Sequence, residues 1–160
     1  MRTVRPAAVA GTFYPRDAAT LRAMLGDCLA QARERAPQPG ASVPKLLVVP
    51  HAGYVYSGPV AAHAYALLGG DAARRIRRVV LLGPAHRVPL AGLALPTVDA
   101  FETPLGTVPL DPDARGALAG LRQVLHDDRA HAFEHSLEVQ LPFLQAVLPE
   151  PFTLVPLAGA

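Results

Sequence analysis

Two histidines stand just behind short apolar runs in this sequence, a placement that suits metal binding or proton transfer. His51 follows residues 45–50, Lys-Leu-Leu-Val-Val-Pro, and His86 follows residues 79–83, Val-Val-Leu-Leu-Gly, by way of Pro84 and Ala85. Continuous apolar runs of this length read as strands buried on both faces. In open parallel sheets, ligands bind outside the carboxyl ends of the strands, so side chains at two such ends converge however far apart they lie in sequence. Neutral imidazole is the commonest metal-binding side chain, and two imidazoles with one carboxylate leave open positions on Fe(II) for a substrate and O₂. The plainer reading is that each histidine only hydrogen-bonds to loop backbone.

A third group of polar residues, Glu134-His135-Ser136, precedes an apolar stretch. Exposed amides at a helix start favour an anion, so Glu134 and His135 are candidates for acid–base work in a cleft; the competing reading is a capping arrangement that satisfies those amides. Glu138 reads as a solvated helix residue. Tyr54 and Tyr56 alternate with Val55, so one of them faces the cleft as a hydrogen-bond donor or proton carrier while the other packs, and Tyr54 is the candidate. His63 lies within an alanine-rich helix and His126 and His131 in a polar loop, positions that suggest no ligand role. There is no GxxxxGK[ST] loop, no GxGxxG after a strand and no GxSxG elbow, which argues against a nucleotide site or a serine hydrolase.

Regular elements must hold these groups in place. Residues 17–35 carry Leu21, Met24, Leu25, Cys28, Leu29 and Ala32 at helical spacing, with Asp17 as the cap. Residues 37–44 contain proline and glycine and form a connector. Ser57-Gly58-Pro59 predicts a cap with proline in the first turn of a helix over 60–68, so that 45–50, 60–68 and 79–83 form a βαβ unit with parallel strands. Residues 93–110 read as irregular strands and turns. Asp111-Pro112 starts a helix through about residue 121. The stripe of Leu137, Leu141, Leu144 and Leu148 marks another helix, which Pro142 should kink or confine to its second half. Residues 152–157 form a further buried strand. The prediction is one α/β domain over residues 1–160, with a mainly parallel sheet and helices on both faces.

The chain has 160 residues, 51% hydrophobic and 18% charged, with a formal charge of +2 and a sequence pI near 9.0. That composition excludes a disordered chain, and the dispersed basic residues give no footprint for nucleic acid. The run Arg74-Arg75-Ile76-Arg77-Arg78 reads as a solvated turn. With Cys28 the single cysteine, no internal disulfide forms, and neither a membrane span nor a signal sequence is visible. We therefore expect a cytoplasmic protein with Cys28 buried and inert. The sequence ends just after a buried strand, from which we expect a fragment or a partner that covers the remaining face, with self-association through uncovered strands.

Four blocks carry a resemblance: AGTFYP at residues 10–15, PHAGYVYSG at 50–58, GPAH at 83–86 and EHSLEVQLPFL at 134–144. In order and over nearly the whole chain, they resemble the signature blocks of the Memo family, known in prokaryotes as protein B of the AmmeMemoRadiSam system. The resemblance implies the fold of class III extradiol (LigB-like) dioxygenases. It also implies a metal-site role for His51 and His86, cleft positions for Phe13 and Tyr54, and a site wall at Glu134 and His135. Fe(II) is the implied ion, with other divalent or copper ions as alternatives. AMMECR1-like and radical SAM proteins are the implied partners, and a small molecule or peptide the implied ligand. Family members continue beyond the position of Ala160 into further site residues. Three functions follow as expectations: an Fe(II) protein with redox or oxygen-dependent activity, a non-catalytic peptide- or ligand-binding module using the same cleft, and an extradiol-type dioxygenase.

Overall fold

The computed structural model describes residues 3–35, 44–69, 73–149 and 151–159. In chain order the elements are β1 (Val4–Arg5), α1 (Ala18–Arg35), α2 (Tyr54–Tyr65), β2 (Arg78–Pro84), β3 (Leu93–Leu95), β4 (Ala100–Thr103), β5 (Gly106–Pro109), α3 (Pro112–Leu118), β6 (Val124–His126), α4 (Arg129–Ala132), a 3-10 turn (Glu138–Gln140), α5 (Leu141–Val147) and β7 (Thr153–Gly159). The predicted connector lies outside the described residues save for Pro44.

The fold is α/β, as its sequence predicts. Its larger sheet has the order β2-β7-β3-β6. β2 and β7 run parallel in full register from Arg78 opposite Thr153 to Pro84 opposite Gly159, whereas β3 is antiparallel to β7 and parallel to β6. A smaller sheet, β1-β4-β5, joins through a bridge between Leu110 and Leu154. Helix α1 begins where Asp17 accepts a hydrogen bond from the Thr20 N–H at 2.8 Å, a cap worth about 1 kcal/mol. Its stripe of Leu21, Leu25, Leu29 and Ala32 is buried with α2, α5, Val79, Leu81 and Leu154 in the main core. Each fully buried leucine there contributes roughly 1.5–3 kcal/mol. The opposite face of β7, at Val155 and Leu157, packs under Ala114 and Leu118 of α3, whose own start is capped by Asp111.

Several sequence expectations need correcting. Residues 45–50 form no strand and pair with no described strand, because an apolar run becomes a strand only where a neighbour completes its backbone hydrogen bonds. Leu47 and Val49 pack inward, while Leu46 and Val48 are 77% and 89% exposed. Helix α2 starts at Tyr54, capped by Gly53, with Pro59 inside it; Ser57 is not the cap, and its hydroxyl donates to the Ala52 carbonyl at 2.8 Å. Burial of Tyr54 overrides the strand-like alternation of Tyr-Val-Tyr. The helix after Asp111 ends at Leu118, and His126 and His131 sit in β6 and α4 rather than a polar loop. Of the uncovered strands expected at residues 45–50 and 152–157, only the first is exposed. The apolar face runs over Leu46, Val48 and β2, where Val80 is 61% and Leu82 68% exposed, whereas β7 is buried as the neighbour of both β2 and β3. Cys28 is only partly buried. As Pro142 implies, the leucine stripe divides into the 3-10 turn and α5.

Candidate metal centre

Three loops bring the candidate residues together. His51 lies between the apolar segment 45–50 and α2. Its loop is fastened where the Gln140 side chain donates to the Pro50 carbonyl at 3.1 Å and the Tyr54 N–H donates to the Phe13 carbonyl at 2.7 Å. His86 follows β2, whose end is fixed where the Ala85 N–H donates to the Gly159 carbonyl and the Ser136 hydroxyl donates to the Pro84 carbonyl, both at 2.7 Å. Gly83 makes that approach possible, since a Cβ there would stand 2.9 Å from the Leu137 side chain and 3.2 Å from the Ser136 hydroxyl. His135 lies between α4 and the 3-10 turn.

The imidazoles of His51, His86 and His135 form a cluster. Their ring centroids are 5.3 Å apart for His51 and His86, 5.7 Å for His51 and His135, and 4.6 Å for His86 and His135. One donor nitrogen from each lies within 4.8 Å of the others. Two imidazole nitrogens on one ion stand roughly 3 Å apart, so small ring rotations would gather all three. Phe13 packs on His135 at 4.5 Å.

Glu134 sits behind this cluster rather than in it. Its carboxylate accepts from the His86 N–H at 2.6 Å, from His86 Nδ1 at 2.9 Å, and from the His135 and Ser136 N–H groups at 2.9 Å each. Burial would raise its pKa, but hydrogen bonds from the His86 ring and from the Ser136 and His86 amides outweigh that, and it falls from the ordinary 4.5 to about 2. Glu134 is therefore an anion at neutral pH with both oxygens engaged in hydrogen bonds. For His135, burial lowers the pKa, and the nearby His86, His51 and Arg87 add to the effect against the pull of Glu134. The neutral form, the one able to donate a lone pair to a metal, is thus favoured.

A metal fits the chemistry of this donor set. Three imidazoles, one backed by a carboxylate, match what borderline divalent ions accept. The buried Nδ1 of His135 also has no hydrogen-bond partner among the described residues and lies 3.3 Å from Glu134 Oε1.

A family model for Memo-like proteins matches residues 5–158. The chain belongs to the Memo family. It is 44% identical to a MEMO1 family protein of Methanopyrus kandleri over 98% of this chain and 56% of that protein. It is also 41% identical to one from Ignicoccus hospitalis (96% and 55%) and 39% identical to one from Aquifex aeolicus (96% and 54%). The chain thus spans about half the length of the curated relatives it matches.

In this Memo chain, the sequence-predicted residues divide. His51, His86 and His135 come together, so that of the Glu134-His135 pair it is His135 that adds a third imidazole to the cluster. Phe13 lines a groove of about 820 Å3 beside His51 and His135, together with Val48, Val49, Pro50 and Tyr56. Tyr54 does not reach it. Its ring is buried 5.0 Å from Phe143, its hydroxyl donates to the Val139 carbonyl at 2.7 Å, and burial pushes its pKa well up, so it cannot serve as a proton carrier in the cleft. Tyr56, exposed on α2, lines the groove in its place. His63 is exposed on α2. His131 is buried, with Nε2 2.9 Å from the Ala94 carbonyl.

Sequence reasoning missed Glu138, expected to be solvated. It is wholly buried and paired with Arg5, and it accepts from the Ala8 and Val9 N–H groups and the Tyr14 hydroxyl. Arg5 in turn donates to the Glu134 and His131 carbonyls, both at 2.7 Å, and stacks over Phe101. The available signal was an acidic residue set among Leu137, Val139 and Leu141 in a segment otherwise read as core.

Proposed function

We propose that this Memo-family chain binds a divalent transition-metal ion, with Fe(II) the candidate, through His51, His86 and His135. The observation that carries this reading is the meeting of three imidazole donors within 4.8 Å, backed by a buried carboxylate. A bound ion would supply Lewis acidity and open coordination positions for an oxygen-dependent or redox reaction of the whole protein. The chain's own residues would do the rest: Glu134 holds His86, Phe13 packs on His135, and the apolar wall of Val48, Val49 and Pro50 limits water on one side. That wall is also what favours a second reading, in which the groove holds a peptide or small apolar ligand without turnover.

Anaerobic titration of the purified chain with Fe(II) tests the first reading. One ion per chain is expected, with affinity reduced by at least about 100-fold when His51 and His86 are both replaced by alanine, each lost ligand being worth at least about 1.4 kcal/mol. Equal uptake by the double variant would remove both residues as ligands. Oxygen consumption by the loaded protein separates turnover from holding. No helix among the described residues is long and apolar enough to cross a membrane, and we propose a cytoplasmic, reducing setting, which suits an uncrosslinked Cys28.

A further inference from the structure

We infer that Glu134 is a positioning residue that fixes His86 in its Nδ1–H form and thereby presents Nε2 of that ring to the metal. The inference rests on the proposed metal centre and assigns the residue that organises it. One carboxylate grips His86 twice: Oε2 accepts its backbone N–H at 2.6 Å and Oε1 faces its Nδ1 at 2.9 Å, so the ring is fixed relative to its own main chain. An ionised carboxylate can only accept, so the nitrogen facing it must carry the hydrogen and the other must carry the lone pair. Oε1 also accepts the His135 and Ser136 N–H groups. Three of the four donors meet Oε1 and the fourth meets Oε2, so both oxygens of Glu134 are already held by hydrogen bonds behind the histidines. It acts through His86.

The same accounting predicts what glutamine would do. Both carboxylate oxygens face N–H donors, so whichever way a carboxamide is turned, its NH₂ opposes at least one of them. The structural alternative, that Glu134 merely caps the turn at Ser136, predicts no effect on the tautomer of a side chain on another loop.

The test begins with long-range ¹H–¹⁵N spectra of the metal-free 160-residue chain at about pH 8, above the ordinary histidine range. The expected result is a pyrrole-type Nδ1 and a pyridine-type Nε2 at His86, the reverse of the form that free imidazole side chains favour. Glu134→Gln should shift His86 toward the Nε2–H form and weaken Zn(II) or Co(II) binding by about 10- to 100-fold. An Nε2–H tautomer in the unmodified chain would overturn the inference. So would a folded Glu134→Gln variant with unchanged tautomer and affinity. If that variant does not fold, the spectrum of the unmodified chain still decides. Should the unmodified chain show the Nδ1–H form but bind no ion, the metal reading fails while the role of Glu134 in setting the tautomer stands.

Discussion

Glu134 and Glu138 lie close together in sequence, both are almost fully buried, and each accepts several hydrogen bonds, yet they answer to different demands. Glu138 has a permanent cation: Arg5 neutralises it, and the Ala8 and Val9 amides and the Tyr14 hydroxyl complete its shell. Its charge is spent inside the core, where it ties the N-terminal segment carrying Phe13 to the loop carrying His135. Among the described residues, Glu134 has no such counter-ion. Its donors are three amides and an imidazole, so its negative charge falls on the histidine cluster. A buried carboxylate with its own arginine acts as a fastening, and one without a full cation organises the groups in front of it.

The largest effect should come from breaking the fastening. Glu138→Ala leaves the Arg5 guanidinium buried without its partner, and removing one member of a buried pair costs about 3–5 kcal/mol. Replacing both residues, as Arg5→Met with Glu138→Leu, should recover much of that loss, because no stranded charge remains. Denaturant unfolding measures both. A single-variant cost below about 1 kcal/mol would show that Arg5 finds water or another partner, and the contrast with Glu134 would collapse.

Next in size is a loss of metal affinity without a comparable loss of stability. His135→Ala should weaken Zn(II) or Fe(II) binding as much as His51→Ala does, by at least about 10-fold, or about 1.4 kcal/mol. His63→Ala, on the exposed side of α2, should change nothing. Isothermal titration of the three variants ranks them, and an unaffected His135→Ala would return the third ligand position to a carboxylate or to another part of the protein.

A smaller, pH-dependent effect sharpens the difference between the two carboxylates. Because the folded pKa of Glu134, about 2, lies below its ordinary 4.5, the unfolded chain takes up the proton first as the medium acidifies. The stability from ionised Glu134 is therefore complete above 4.5 and is lost as pH falls from there toward about 2. His135 behaves in the same sense at a higher range: its pKa is lowered from 6.5, so stability begins to fall as pH drops below that value. Unfolding measured from neutral to acid pH should show two successive declines. In His135→Ala the earlier one should shrink, and in Glu134→Gln the later one should.

How much of this was legible in the sequence follows from the range over which each signal acts. The stripe of α1 and the Asp17 and Asp111 caps depend on neighbours a few residues away and could be read directly. His51 and His86 could be read because a polar residue behind an apolar run marks a strand end or loop. The role of Glu138 could not, because its partner is 133 residues away and an isolated glutamate in a helix reads as solvated. His135 as third donor was hidden for a related reason: which of Glu134 and His135 faces the cluster depends on the backbone angles of one turn. Residues 45–50 misled because both burial and strand pairing depend on neighbours that the run itself does not specify, and Leu46 and Val48 have none covering them among the described residues.

The smallest effect concerns Tyr54, which lies within the same sequence block as His51 but on the core side of α2. Tyr54→Phe removes a hydroxyl that donates to the Val139 carbonyl at 2.7 Å and leaves the ring against Phe143 and Tyr14. Losing a single neutral hydrogen bond costs about 0.5–1.5 kcal/mol, with the buried carbonyl left unsatisfied setting the upper end. Metal affinity should be unchanged, since the hydroxyl points into the core and the helix that carries the ring keeps its Gly53 cap. Parallel unfolding and titration experiments give both numbers. A fall in affinity with no fall in stability would return Tyr54 to the cleft; the reverse result would confine the chemistry to the three histidines and the carboxylate behind them.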